Sequence, residues 1–250
     1  MDEIVRQAVA RAIVTMRDRL GERLTIDDLA RAAMFSKFHF TRVFLRTTGL
    51  SPGRFLSAMR LAEAKRLLTT TTISVADISH QVGYNSVGTF SARFSGSVGV
   101  SPSGYRQLRG APAARIAERP DHRLPGATVR GQLHAMPPAE VGPVFVGLFP
   151  ARIAEGLPAR HTLVPGPGPY TLADVPPGSW YLITHAYGAN PLDQYGQRPF
   201  TGLTGPVTIQ VGVTARLADV RLRPRRGFDP PVLLALPDLR KAVAAHAVAV

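Results

Sequence analysis

The sequence predicts two domains: an all-α double helix-turn-helix domain, then a mainly-β sandwich ending in a C-terminal helix. Three observations predict this. Proline marks the boundary, because residues 1–110 hold only Pro52 and Pro102, while the other 20 of the 22 prolines lie in 111–250. Proline is costly inside helices and central strands, so long helices belong to the first part. An internal repeat organises that part. Thr25-Ile26-Asp27-Asp28-Leu29 recurs at an offset of 49 as Ser74-Val75-Ala76-Asp77-Ile78, and Gly49-Leu50-Ser51-Pro52 recurs at an offset of 50 as Gly99-Val100-Ser101-Pro102. In the second part, residues 124–223 alternate short β-prone runs with Pro/Gly turns, which is the pattern of a small all-β domain. The implied domains are 1–110, a linker over 111–123, and 124–250.

The helices follow in order. From about Glu3 to Leu20, residues Val5, Val9, Ala12, Ile13, Met16 and Leu20 form one apolar stripe at helical spacing. Thr25 with Asp28, and Ser74 with Asp77, are capping pairs that satisfy the orphan amides of a helix start. Ile26, Leu29, Ala30 and Ala33 then give one buried face, matched by Val75, Ile78 and Val82. Gly83 suits the left-handed residue that ends a helix. The second helix of each pair spans about Ser36 to Thr47, and about Ser86 to Val98. Phe40 and Phe44, and likewise Phe90 and Phe94, stand four residues apart and belong to the core. Ser51-Pro52 and Ser101-Pro102 are N-cap plus first-turn proline. Between the copies, Pro52 to about Leu68 reads as a longer helix with Phe55, Met59, Ala62 or Glu63, and Leu67 inward. At 1.5 Å per residue it spans roughly 25 Å. A spacer of that length holds two helices about one duplex turn apart, roughly 34 Å.

Composition narrows the function classes. The formal net charge is +13, which points to a polyanionic partner. The excess is denser in 1–110, with 16 basic and 8 acidic residues. Cysteine is absent, so disulfides, thiolate metal sites and a cysteine nucleophile are excluded, and a reducing, cytoplasmic location is expected. No apolar run reaches the roughly 18–20 residues of a membrane span, and Met1-Asp2-Glu3 does not open a signal peptide; no membrane partner is expected. His39 and His80 lack ligand partners at metal spacing, and no phosphate loop, serine elbow or paired-histidine motif is present. The reading is therefore a non-enzyme without cofactor or metal.

The motif series is specific. It comprises Leu29-Ala30, Ser36, His39-Phe40, Arg42, Phe44, Thr48-Gly49, Ser51-Pro52, Arg60-Leu61, Ala64, Leu67-Leu68, Ile78, Gly83-Tyr84, Phe90-Ser91, Phe94, Gly99, Ser101-Pro102 and Tyr105-Arg106. On these residues, roughly Ile4 to Leu108 resembles the AraC/XylS family of transcription regulators. Met34 departs from the glycine frequent at its position; a slightly altered first turn is expected, with the fold kept. The resemblance implies double-stranded DNA as partner, with the second helix of each unit in the major groove. It also implies RNA polymerase as a partner if the protein is an activator. By resemblance Phe38 and Arg42 take base-contacting positions, where arginine can bond guanine and an aromatic ring can pack on thymine methyls. Arg42 as a phosphate anchor and Phe38 as a core-edge residue are the competing readings. The candidate DNA-binding residues are Ser36, Lys37, Phe38, Thr41, Arg42 and Arg46 in the first unit. In the second they are Asn85, Ser86, Val87, Thr89 and Arg93. Ala92 stands where the first unit has Arg42, so the first unit is expected to supply most direct readout.

In the second part the expected strands are Ala127–His134, Val144–Phe149, Tyr170–Leu172, Trp180–Ala186, Val207–Val213 and Asp219–Leu222. The run Tyr170 to Leu182 resembles the strand–turn–strand of carboxypeptidase-regulatory-like, transthyretin-like sandwiches. The hydrolase activity of some transthyretin relatives does not carry over, because their C-terminal Tyr-Arg-Gly-Ser is missing here. Two functions remain open for this part: sensing a small-molecule effector, or protein interaction and homodimerisation without ligand. Pro230 to Leu236 is strongly apolar and suits a cover for the strands or a dimer contact. Arg221, Arg223, Arg225 and Arg226 read as a charged edge strand or a DNA contact. Pro237 to Val250 reads as a helix.

Overall fold

The computed structural model describes residues 3–109, 126–136, 140–188, 199–210 and 215–235. The expected linker and the expected C-terminal helix lie outside the described residues. The chain forms two compact units: Met1–Gly110 with Arg226–Ala235, and Ala111–Arg225 with Leu236–Val250. The apolar segment before the terminal helix is thus grouped with the helical unit.

The helical unit contains α1 (Glu3–Asp18), α2 (Ile26–Ala33), α3 (Lys37–Thr48), α4 (Pro52–Thr70), α5 (Val75–Gln81), α6 (Val87–Val98) and α7 (Pro102–Gln107). Six of these starts are capped by a hydroxyl. Thr25 and Asp28 form a reciprocal capping box, and Ser36, Ser51, Ser74, Ser86 and Ser101 each accept a backbone N–H two or three residues into the helix that follows. Two hydrogen bonds from Thr25 hold the half-buried Asp28 carboxyl below the usual carboxylate range.

The repeat is visible in the packing. Phe40, Phe44 and Phe55 meet in series with ring centroids 5.4 Å apart at each step. Fifty residues on, Phe90, Phe94 and Tyr105 meet at 5.6 and 5.7 Å. Phe40 and Phe44 of α3 and Phe90 and Phe94 of α6 are fully buried, which accounts for their spacing. The turns also repeat. Phe35 N–H reaches the Ala30 carbonyl as Tyr84 N–H reaches that of Ser79. Each turn has one left-handed residue, Met34 at φ 59° and Gly83 at φ 84°. At Gly83 a Cβ would lie 2.7 Å from the Arg60 guanidinium and 2.9 Å from the Leu20 carbonyl, whereas Met34 is exposed. The first turn therefore tolerates a side chain, at a conformational cost of about 1 kcal/mol.

One detail of the spacer helix differs from expectation. Its buried face is Phe55, Leu56, Ala58, Leu61, Ala64, Leu67 and Leu68, while Met59, Ala62 and Glu63 are only half-buried. The helix packs on two sides, so a single stripe does not describe it.

The second unit is strand-rich. It contains β1 (Ala127–Ala135), β2 (Val141–Phe149), β3 (His161–Val164), β4 (Pro169–Val175), β5 (Gly178–Gly188), β6 (Phe200–Ile209), β7 (Ala215–Leu217) and β8 (Val220–Pro224). The strands pair along one path, β3-β2-β5-β6-β8-β1-β4, with β7 on β1. The ends β3 and β4 also approach each other, so the sheet nearly closes into a barrel. Two separate sheets were expected. Strand β8 joins what would have been the halves, pairing antiparallel with β6 and parallel with β1. For the same reason Arg221 and Arg223 do not lie on an edge strand. Val129, Leu133, Val144, Val146, Leu148, Leu172, Leu182, Val220 and Leu222 fill the interior.

The strand over Val207–Val213 is corrected as well. Val207–Ile209 closes β6, which begins at Phe200; residues 211–214 lie outside the described residues. Gly202, Gly205 and Pro206 read as turn residues, yet sit inside the strand. Gly202 is there because of close approach: a Cβ would lie 2.5 Å from Val220 and 2.6 Å from Thr184.

Candidate nucleic-acid interface

Helix α3 separates its residues cleanly. Phe40, Val43, Phe44 and Thr48 face the core. The opposite face carries Lys37, Phe38, Arg42 and Arg46, all exposed. Phe38 is 88% exposed, an uncommon state for a phenylalanine and one that a core-edge role does not require. Leu45, at 49% exposure, shares this face, three residues after Arg42 and seven after Phe38. It was not among the sequence candidates, because an isolated leucine in a helix reads as core by default.

The polar groups at this face differ in readiness. Ser36 caps the helix, accepting from His39 N–H at 3.4 Å. Thr41 is half-buried, and its hydroxyl donates to the Lys37 carbonyl at 2.9 Å. Lys37 Nζ lies 3.2 Å from an Asp27 carboxylate oxygen, with both side chains more than half exposed. A solvated pair of this kind is worth under about 1 kcal/mol, so a phosphate can displace it. Arg42 and Arg46 are in no ion pair among the described residues.

The equivalent face of α6 is flatter. Asn85, Ser86, Thr89, Ala92 and Arg93 are exposed, and Val87 is half-buried. Ser86 accepts from Thr89 N–H at 3.4 Å. At an offset of 50, Gly88 stands for Phe38, Ala92 for Arg42 and Gly96 for Arg46. The first face thus has long side chains where the second has nearly bare backbone.

Several arginines turn inward. Arg11 donates to the Ala32 and Ala33 carbonyls, Arg60 to those of Leu20 and Glu22, and Arg106 to those of Leu68 and Ile73. These guanidiniums satisfy carbonyls at helix ends and in loops that would otherwise lack partners. Burial holds Arg60 below its ordinary pKa. Nothing in the spacing of these residues distinguishes them from the outward-facing ones. In the strand-rich unit, His134, His161 and His185 lie on β1, β3 and β5; no group of three metal-ligating side chains occurs among the described residues.

Comparison with known proteins places this helical unit. A family profile described as a helix-turn-helix domain matches residues 29–108. The chain is 34% identical over 98 residues to the HTH-type transcriptional activator AarP of Providencia stuartii, a match covering 39% of this chain and 73% of that protein. It is 30% identical over 104 residues to the lactose operon transcription activator of Staphylococcus xylosus, covering 42% of this chain and 37% of the relative. Against the MmsAB operon regulatory protein of Pseudomonas aeruginosa it is 38% identical over 92 residues, covering 37% and 30%. The chain thus spans about a third of the length of the last two relatives. Among solved structures, an AraC-type DNA-binding regulator from Chromobacterium violaceum matches at TM-score 0.41 and 26% identity, covering 43% of this chain and 96% of that one. The DNA-binding domain of AdpA, solved in complex with a target DNA, matches at TM-score 0.38 and 30% identity, covering 48% and 100%. With AarP matched over nearly three quarters of its length, this chain belongs to the AraC/XylS family of helix-turn-helix transcription regulators.

Proposed function

We propose that the protein is a sequence-specific regulator of transcription, in which α3 and α6 enter successive major-groove segments of one duplex. The observation that carries this reading is the outward face of α3, where a phenylalanine left 88% exposed stands one turn before an arginine. Phe38 packs on thymine methyls and Arg42 bonds a guanine edge. Lys37 and Arg46 sit beside phosphates, and Ser36 and Thr41 hold the helix start in place. On α6, Asn85, Ser86, Val87, Thr89 and Arg93 follow the backbone and the groove shape. AarP and the Staphylococcus protein are named activators; by analogy this chain activates transcription and works with RNA polymerase in the cytoplasm.

The strand-rich unit is the sensor. An open hollow of about 530 Å³ between β6 and β7 is lined by Thr204, Pro206, Thr208 and Arg216 among others; the Thr204 hydroxyl donates to the Asp219 carbonyl, and Arg216 offers a cation to a small anionic effector. Homodimerisation without ligand is the competing assignment for this unit.

Selection of bound sequences from random duplex DNA with the full chain tests the proposal. The expected result is a site with two elements about one helical turn apart, the α3 element sharply defined and the α6 element permissive, with binding that weakens steeply with salt. No enrichment at low salt would refute the function, and equal information in both elements would refute the division of labour.

A further inference from the structure

The helical unit does not end at residue 110. Arg226–Ala235 belongs to it, although more than a hundred residues separate the two stretches. A turn opens this strap: the Arg226 N–H donates to the Asp229 carboxylate at 2.6 Å, and the Asp229 N–H to the Arg226 carbonyl at 3.0 Å. The strap then becomes as buried as any core element, with Leu233 at 0%, Leu234 at 1% and Ala235 at 0% exposure.

Two contacts say what the strap does. Lys65 of α4 sends its ammonium to the carbonyls of Val232 and Leu234, at 3.2 and 2.7 Å, beneath the ring of Tyr105 on α7. A strap that is itself neither helix nor strand has carbonyls to satisfy, and an enclosed ammonium needs acceptors; each answers the other. Burial pushes this lysine down to about 7, so its enclosure is energetically costly and is matched to the strap. The second contact is at α6. The Ala235 N–H donates to the carbonyl of Val98, the last residue of that helix, at 3.2 Å. Helix α6 is 12 residues long, so holding its C-terminal end sets the direction of its N-terminal, outward-reading half.

We infer that Arg226–Ala235 is an intramolecular latch that positions α6, so that the second DNA-reading element engages only when the latch is seated. This rests on the DNA-binding function proposed above. The strap follows directly on β8 in the chain, so it is also the covalent route by which a change in the strand-rich unit reaches the reading helix. Among the described residues, these hydrogen bonds of the strap fall on α4 and α6.

The test uses the full chain with Leu234→Asp and two duplexes, one carrying both selected elements and one carrying only the α3 element. Wild type binds the two-element duplex at least ten-fold tighter. The variant loses that preference while binding the α3-only duplex as wild type does, and amide exchange accelerates across α6 and not α3. If Leu234→Asp does not fold, the milder Leu234→Ala is read by the same two measurements, with a proportionally smaller loss. An unchanged two-element preference and unchanged exchange in α6 overturn the latch, as does an equal loss on both duplexes by a folded variant. Failure of wild type on every duplex would instead refute the DNA-binding function itself.

Discussion

Replacing Phe38 by alanine separates a reading residue from a folding residue. The ring is 88% exposed in the free protein, so its removal leaves no cavity. The expected change in unfolding free energy is within about 0.5 kcal/mol, as for other exposed substitutions. On DNA the same exposure becomes contact area. A phenylalanine carries roughly 150–250 Å², and covering about 80 Å² of it against thymine methyls and sugars contributes about 2 kcal/mol. Affinity for the selected duplex should therefore fall by roughly thirty-fold. Fluorescence anisotropy at fixed salt reads the affinity, and chemical denaturation of the same preparation reads the stability. Duplexes with deoxyuridine in place of individual thymines add a control: at one position the missing methyl weakens wild type but not Phe38→Ala. Unchanged affinity, or a stability loss above about 1 kcal/mol with affinity intact, would refute the assignment and return the ring to the fold.

Two further expectations concern other parts of the helical unit. Ala92→Arg places on α6 the long donor that Arg42 supplies on α3; binding should tighten by about 1–3 kcal/mol and the permissive half-site should sharpen at one or two positions, which repeated selection from random DNA measures, and unchanged selectivity would mean that this face does not reach base edges. Lys65 titrates near 7 in the folded chain against an ordinary 10.5, so between those values the unfolded state binds the extra proton and stability rises with pH, by up to a few kcal/mol in all. The helical signal in circular dichroism, followed through denaturation from pH 7 to pH 9.5, should show this gain in wild type and its loss in Lys65→Met; a gain that persists in the variant would assign it to another group.

Much of the helical unit was legible because its signals are local. A hydroxyl before a helix, a glycine or methionine at its end and two phenylalanines four residues apart act within one turn or one helix, and repetition at a fixed offset doubles each signal. The strand-rich unit depends on pairings between distant residues, and there the pattern misleads. Gly202, Gly205 and Pro206 suggest a turn, yet they lie within β6, where close approach of Val220 leaves no room for a side chain at residue 202. The short β3 and β7 have too few residues to show alternation. The strap escaped for the same reason. Its apolar run announces burial, but its partners Lys65 and Val98 are far away in sequence, and an inward-facing lysine looks like any other charge on a helix.

The same limit applies to reading function from charge. The first 110 residues hold 16 basic and 8 acidic side chains, an imbalance that points to DNA. Yet Arg11, Arg60, Arg106 and Lys65 direct their donors to backbone carbonyls, where they hold loops, helix ends and the strap. What supports the proposed reading surface is the difference between two copies of one scaffold. Capping hydroxyls and paired aromatics are kept in both, because the fold requires them in both. Phe38, Arg42 and Arg46 face Gly88, Ala92 and Gly96 across the repeat, and no folding requirement accounts for that contrast. A scaffold duplicated for stability alone would have no reason to leave a phenylalanine in water on one copy and bare backbone on the other. The unequal roles proposed above supply one, with the first helix discriminating bases and the second being placed.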